Sequence, residues 1–306
     1  MIGQTISHYR ILEKIGEGGM GVVYKAEDIK LHRTVALKFL PLSRSVTKDQ
    51  SNRFIREAQA AASLSHPNIA TVFEFNEVEE PSTHTTQAFI AMEYVDGNTL
   101  DKVIRGGPLP FDQIRTIAEQ VGQGLQSAHA RAIIHRDIKP SNIIINNEGV
   151  AKLLDFGLAK LAQETSLSQT RTVAGSVAYM SPEQVRGEKL DARSDIWSFG
   201  VVLYQMLTGK LPFRGDHTAA MMYSITNEPI PEIVSLRPGS PANLVTLCNT
   251  CLEKDRESRP RSMQIVLQLL GSNSPGQSAV LRKVRPLLLR VALSIGLIAA
   301  ITAGLW

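Results

Sequence analysis

Between Tyr9 and about Met92 the apolar residues come in short runs. YRILEKIG, GVVYKAED, TVALKFLP, IATVFEFN and AFIAMEYV are rich in Val, Ile, Phe and Tyr, are bounded by Gly, Asp or Pro, and predict strands. One stretch interrupts them. Residues 51–64 (SNRFIREAQAAASL) lack Gly and Pro, favour Ala, Arg and Glu, end just before His66-Pro67, and predict a helix. Beyond Asp96-Gly97 the period changes, and residues 111–130, 191–208, 217–227, 241–253 and 262–270 carry apolar positions at helical spacing. A small strand-rich half therefore precedes a larger helical half, an α+β arrangement. The two are joined through residues 93–97, with a cleft between them as the expected ligand site.

The pattern changes again near the end of the chain. Residues 271–279 (GSNSPGQSA) turn to Gly, Ser and Pro and read as the start of a flexible linker, which continues through a basic stretch to residue 286. Residues 287–306 are apolar apart from Arg290 and would form a helix of about 30 Å, the thickness of a bilayer core. A buried helix or helical cap is the competing explanation. A place beyond a linker, with Arg290 near one end where it can snorkel, favours a single transmembrane helix. Arg282, Lys283, Arg285 and Arg290 then leave the preceding residues in the cytoplasm, at the cell membrane.

Composition sharpens this picture in two places. The net charge of +4 could suggest nucleic acid, but the basic residues are spread along the chain except for the cluster beside the apolar tail, so a membrane rather than nucleic acid is the expected partner. Two cysteines cannot build a disulfide framework and point to a reducing compartment. Cys248 and Cys251 form a lone CxxC with no further ligands at metal spacing, which favours core packing over a metal site. The amino terminus carries no signal-peptide pattern and is expected to stay in the cytoplasm.

The chemistry is carried by a series of motifs. Gly16-Glu17-Gly18-Gly19-Met20-Gly21 lies between two predicted strands, where glycines let backbone amides approach phosphates. Alone it is weak. A dinucleotide-binding loop would open a helix, whereas GVVYKAED here continues as a strand. Lys38 closes Val35-Ala36-Leu37-Lys38 on another predicted strand, and Glu57 lies on the intervening helix; by themselves these are a solvated strand lysine and a surface glutamate. His135-Arg136-Asp137-Ile138-Lys139-Pro140-Ser141-Asn142 then brings a carboxylate and an amide into one loop, and Asp155-Phe156-Gly157 follows strand-like IIINNEGVAKLL. In order and spacing these motifs resemble the protein-kinase family over about residues 9–270.

That resemblance implies a two-lobed protein kinase fold, with a small β-rich N-lobe at 9–92, a hinge at 93–97 and a large helical C-lobe at 98–270. It also implies ATP as phosphoryl donor with Mg2+, or Mn2+ in its place. Asp137 would orient a substrate hydroxyl and accept its proton, and Asn142 and Asp155 would hold the metal. Lys38, paired with Glu57, would hold the α and β phosphates. Ile15, Gly16, Glu17, Gly18, Gly19, Met20 and Gly21 would cover the nucleotide. Val23, Ala36 and Ile144 would sandwich adenine, backbone groups of Glu93 and Val95 would read its edge, and Met92 would guard the pocket behind it.

In the family the pattern Asp-x-Lys-Pro-x-Asn accompanies serine/threonine specificity, so Lys139 implies protein Ser/Thr acceptors. The stretch from Gly175 to Glu183 (GSVAYMSPE) resembles the family's substrate-docking segment, with Ser176 where threonine is commoner. Arg136 beside Asp137 implies that phosphate on the loop between Asp155 and Glu183 could order it, and Thr170 and Thr172 are the favoured positions. Glu183 is expected to pair with Arg259, and Asp195 to accept backbone amides of the catalytic loop. IGEGGMGVVYKA and GSVAYMSPEQVRGEKLDARSDIWSFG further resemble bacterial transmembrane kinases, in which a sensor often follows the span, so more sequence is expected beyond residue 306, with a tail-anchored kinase as the alternative. A face of the small lobe could pair two copies into a homodimer. A pseudokinase scaffold and a small-molecule phosphotransferase of related fold are the alternatives.

Overall fold

The computed structural model describes residues 1–18, 21–39, 59–80, 85–156 and 174–272. Its strand-rich half is a six-stranded antiparallel sheet made of β1 (Thr5–Ile6), β2 (Tyr9–Gly18), β3 (Gly21–Asp28), β4 (Arg33–Phe39), β5 (Val72–Glu80) and β6 (Thr85–Glu93), in the order β1-β2-β3-β4-β6-β5. Alternation along β4 and β6 explains how one sheet serves two purposes, because successive side chains point to opposite faces. Val35, Leu37 and Phe39 join Phe89, Ala91, Tyr9, Ile11 and Ala26 in an apolar core on one face. Ala36 and Met92, opposite one another in the register, pack with Ile90 and Val23 on the other. Lys38 shares the face of Ala36 and is almost fully buried.

The helical half contains α1 (Leu100–Ile104), α2 (Phe111–His129), α3 (Ala174–Val177), α4 (Pro182–Val185), α5 (Ala192–Thr208), α6 (Thr218–Asn227), α7 (Ile233–Leu236), α8 (Ala242–Cys251) and α9 (Met263–Gly271). A second sheet of β7 (Gly97–Thr99), β8 (Ile143–Asn146) and β9 (Ala151–Leu153), in the order β7-β8-β9, lies between the motifs. In α2 the buried positions Ile114, Ile117, Ala118, Val121, Leu125 and Ala128 recur every three or four residues, so it buries one stripe. α5 is different. Nearly all its residues are buried, which makes it the central helix of this half.

Four helices, α5, α6, α8 and α9, begin one residue later than periodicity predicts, and in three of them a side chain caps the first turn. Asp191, His217 and Ser262 are N-caps, whose side chains accept from the amides of Arg193, Ala220 and Ile265. β1 and the short helices α1, α3, α4 and α7 were not predicted, because two to five residues carry no readable period. The described end of the helix predicted at 51–64 is a turn over residues 59–62, with Ala61 and Leu64 in the core.

Cys248 and Cys251 are free, fully buried thiols. Burial pushes the Cys251 thiol up to about 12 and Cys248 well above its ordinary value, so neither forms a reactive thiolate. Among the described residues no helix is long and apolar enough to cross a membrane, and the segment at 287–306 lies outside them.

α5 and α8 meet closely at Gly200, where an added Cβ would lie 2.8 Å from Cys251 Cβ and 3.0 Å from Leu252 Cγ. Gly200→Ala is expected to cost ~1–3 kcal/mol through overpacking. Urea denaturation should show a lower midpoint at unchanged slope.

Candidate active site

Asp195, in the first turn of α5, is fully buried and organises the loop before α5's partners. Its carboxylate accepts the amides of His135 and Arg136, each at 2.8 Å, and bonds His129 Nε2 at 2.8 Å. Burial alone would raise its pKa; the His129 hydrogen bond and charge, with the His135 contacts, prevail and hold it below the usual carboxylate range. Anchored in this way, Arg136 sits at φ 67°, a left-handed backbone that only such bracing sustains in a non-glycine residue.

The loop then presents Asp137, Lys139 and Asn142. Asn142 Nδ2 donates to the Asp137 carbonyl at 2.8 Å and to Asp137 Oδ2 at 3.0 Å, and Lys139 Nζ approaches the same Oδ2 at 2.8 Å. Lys139 also donates to Ser176 Oγ at 3.0 Å, which joins α3 to the loop. Lys139 thus links Ser176 to Asp137.

On the other side, β9 delivers Leu154, Asp155 and Phe156. Leu154 N donates to the Asn142 carbonyl at 2.9 Å, its carbonyl bonds His135 Nε2 at 2.8 Å, and the His135 and Phe156 rings pack at 4.5 Å. Asp155 has φ 58°, a second braced left-handed residue. Its Oδ2 meets Lys38 Nζ at 2.8 Å, so strand-rich and helical halves contribute one charge each to a largely shielded pair, in which Lys38 is buried and Asp155 partly exposed. Burial would raise the Asp155 pKa, but the Lys38 charge and hydrogen bond, with His135 and Lys139, hold it low and keep it ionised.

Asp155 Oδ1 is buried with no hydrogen-bond partner. An unsatisfied buried carboxylate oxygen is costly, and a hard cation is the partner that suits it. Asn142 spends its Nδ2 on Asp137, which turns its amide oxygen the other way. These two oxygen donors fit a divalent ion. Among the described residues no group of three or more His, Cys, Asp or Glu forms a metal cage, so such an ion would draw its remaining oxygens from water or from a bound ligand.

The apolar wall beside this centre is Val23, Ala36 and Met92, with Ile144 on β8 paired to Lys152 on β9. Gly16, Glu17 and Gly18 pair with Val23, Val22 and Gly21 across the β2–β3 turn, and Ile15 beside them is 44% exposed. Of these, Gly21 has φ 113°, a conformation that side chains rarely adopt. Glu93 N already donates to the Thr71 carbonyl at 2.8 Å, so its own carbonyl is the backbone group that could read a base edge, alongside Val95. Gly19, Met20, Glu57, Thr170 and Thr172 lie outside the described residues.

Glu183 and Arg259 form the expected pair, at 2.7 and 2.9 Å, with Ser194 Oγ adding a bond to the carboxylate at 2.8 Å. The motifs did not point to Gln184, whose side chain closes a capping box with Ser181 and donates to the Arg136 carbonyl at 2.9 Å. His129 was missed as well. A histidine in the last turn of α2 is the one trace it leaves in the sequence.

Comparison with known proteins agrees with this geometry. The family model described as protein kinase domain matches residues 9–269. The chain is 42% identical over 253 residues to the probable serine/threonine-protein kinase PknB of Lactococcus lactis, covering 82% of this chain and 39% of that protein. It is 39% identical over 257 residues to the serine/threonine-protein kinase PrkC of Bacillus subtilis, covering 83% and 39%. It thus spans about two-fifths of the length of these curated relatives. The crystal structure of the PknI kinase domain of Mycobacterium tuberculosis superposes with a TM-score of 0.71 at 26% identity, covering 89% of this chain and 98% of that one. The chain belongs to the protein kinase family.

Proposed function

We propose that this chain is an ATP-dependent kinase that transfers the γ-phosphoryl group to serine and threonine hydroxyls of proteins. The observation that carries this function is Lys139, whose ammonium bridges Asp137 Oδ2 at 2.8 Å and the docking-segment Ser176 at 3.0 Å. A cation so placed can neutralise the phosphoryl group beside the residue that takes the acceptor's proton. As the acceptor oxygen bonds to the γ-phosphorus, the bond from phosphorus to the β–γ bridging oxygen breaks, ADP keeps the electron pair, and the hydroxyl proton passes to Asp137.

Lys38 holds the α and β phosphates and is itself oriented by Asp155, with Glu57 as its proposed second partner. Asn142 and Asp155 would hold Mg2+, or Mn2+ in its place, which when bound neutralises phosphate charge. Ile15 to Gly21, Val23, Ala36, Met92, Glu93, Val95 and Ile144 form the proposed nucleotide pocket. The relatives' names, both serine/threonine-protein kinases, support the acceptor class. Autophosphorylation at Thr170 and Thr172, with Arg136 as phosphate partner, anchoring at the cell membrane through residues 287–306 with the kinase in the cytoplasm, and pairing of two copies complete the proposal.

Labelled ATP should transfer phosphate to a basic protein rich in Ser and Thr and not to aminoglycosides. Mass spectrometry of the active protein should find Thr170 and Thr172 modified. Transfer to aminoglycosides alone would favour a small-molecule phosphotransferase, and nucleotide binding without any transfer would favour a pseudokinase.

A further inference from the structure

The Glu93 side chain does work that its backbone role does not require. Its carboxylate accepts from Lys152 Nζ, at 2.9 Å to Oε1 and 3.1 Å to Oε2, and from the amide of Thr71 at 3.2 Å. With Glu93 N bonded to the Thr71 carbonyl, residues 71 and 93 are tied in both directions. Lys152 belongs to β9, two residues before Leu154 and three before Asp155, and its register partner is Ile144.

The segment leading to Thr71 is fastened to β9 as well. Asn68 Nδ2 donates to the Ala151 carbonyl and Leu153 N to the Asn68 carbonyl, both at 2.9 Å. Ala70 N donates to the Leu153 carbonyl at 2.9 Å, and Ile69 forms a parallel bridge with Leu153. His66, whose Nδ1 accepts the Asn68 amide, is held below its ordinary pKa by burial and by Lys152. It is neutral near pH 7, and Glu93 is the charged group that Lys152 meets in this corner.

We propose that Lys152, acting through Glu93, is a positioning residue for nucleotide: it locks the link between the two halves to the strand that carries Asp155. The base-reading backbone of Glu93 and Val95 is thereby set in fixed relation to Ile144 and to the phosphate end of the site. The proposal rests on the nucleotide function given above. A lock of this kind contributes to binding in ground and transition states alike, so its loss should raise KM and leave kcat in place.

Lys152→Met is expected to raise the KM for ATP roughly five- to tenfold with kcat within about twofold, the effect of losing a charged hydrogen-bonded pair that is partly solvated. Lys152→Arg, which keeps the cation, should restore most of the affinity. Thermal melts and direct calorimetric titration with ATP should accompany the kinetics, all on the full chain. An unchanged KM and ATP affinity in Lys152→Met, in protein that melts like wild type, would overturn the proposal. So would equal falls in kcat for Met and Arg variants, which would mark general loss of structure. Failure of the wild-type chain to bind ATP would instead overturn the kinase function itself.

Discussion

Asp137→Asn is expected to lower kcat for phosphoryl transfer by about 10²–10⁴-fold, the usual contribution of a positioned general base, while ATP still binds. Asparagine keeps the size of the side chain and an oxygen that can accept from Asn142 Nδ2, now 3.0 Å from Asp137 Oδ2. It loses the negative charge that faces Lys139 at 2.8 Å and the basicity needed to take the acceptor's proton. Asp155 and Lys38 are untouched, so nucleotide affinity should change little. Steady-state transfer rates beside calorimetric ATP titration make the check, and a variant within tenfold of wild type in kcat would remove Asp137 from the mechanism.

Arg259→Met is expected to destabilise the fold by ~3–5 kcal/mol, the cost of leaving a buried charge without its partner. At about 2–4 °C per kcal/mol for a domain of this size, Tm should fall by roughly 6–20 °C. Arg259 and Glu183 are 3% and 2% exposed, and the guanidinium also donates to the carbonyls of Glu253, Lys254 and Arg193.

The pH dependence of this variant has a definite sign. In the wild type burial would raise the Glu183 pKa, but the hydrogen bond and charge of Arg259, aided by Ser194, hold it below the usual carboxylate range. A depressed folded-state pKa gives stability that is complete above the unfolded pKa of about 4.3 and lost as pH falls through the folded value. Without Arg259 burial prevails, the pKa rises, and acidification relieves the buried charge. The stability gap between wild type and variant should therefore narrow from pH 7 to pH 5 in urea titrations. A gap that stays constant would mean that Glu183 is not the charge left behind.

The elements with a long period were legible in the sequence, because alternation in β4 and spacing in α2 are imposed by the core each must cover. Helix starts were displaced by a residue where a capping side chain reads as part of the pattern, as at Asp191 and Ser262. One-turn helices such as α4 have no period to find, and α4 depends on the Ser181–Gln184 box and Pro182 instead. At the site, Lys38, Asp137, Asn142 and Asp155 stand in motifs, yet the direct bond between Lys38 and Asp155 joins residues far apart in sequence and is a property of the folded cleft. Lys152, Gln184 and His129 make their bonds from otherwise unremarkable helix or strand positions, and a single polar residue leaves no spacing to read.

The division of labour along β4 has a consequence for how this chain can fail. Its odd positions, Val35, Leu37 and Phe39, build the core, and its even positions, Ala36 and Lys38, face the cleft. A slip of one residue against β3 or β6 would exchange the two sets, sending the Lys38 ammonium among Tyr9, Phe89 and Ile11 and the phenyl ring of Phe39 into the cleft. The charge proposed to hold the phosphates thus doubles as a proofreading mark for strand assembly: a misregistered sheet is penalised by the same lysine that a correctly registered one turns to the cleft.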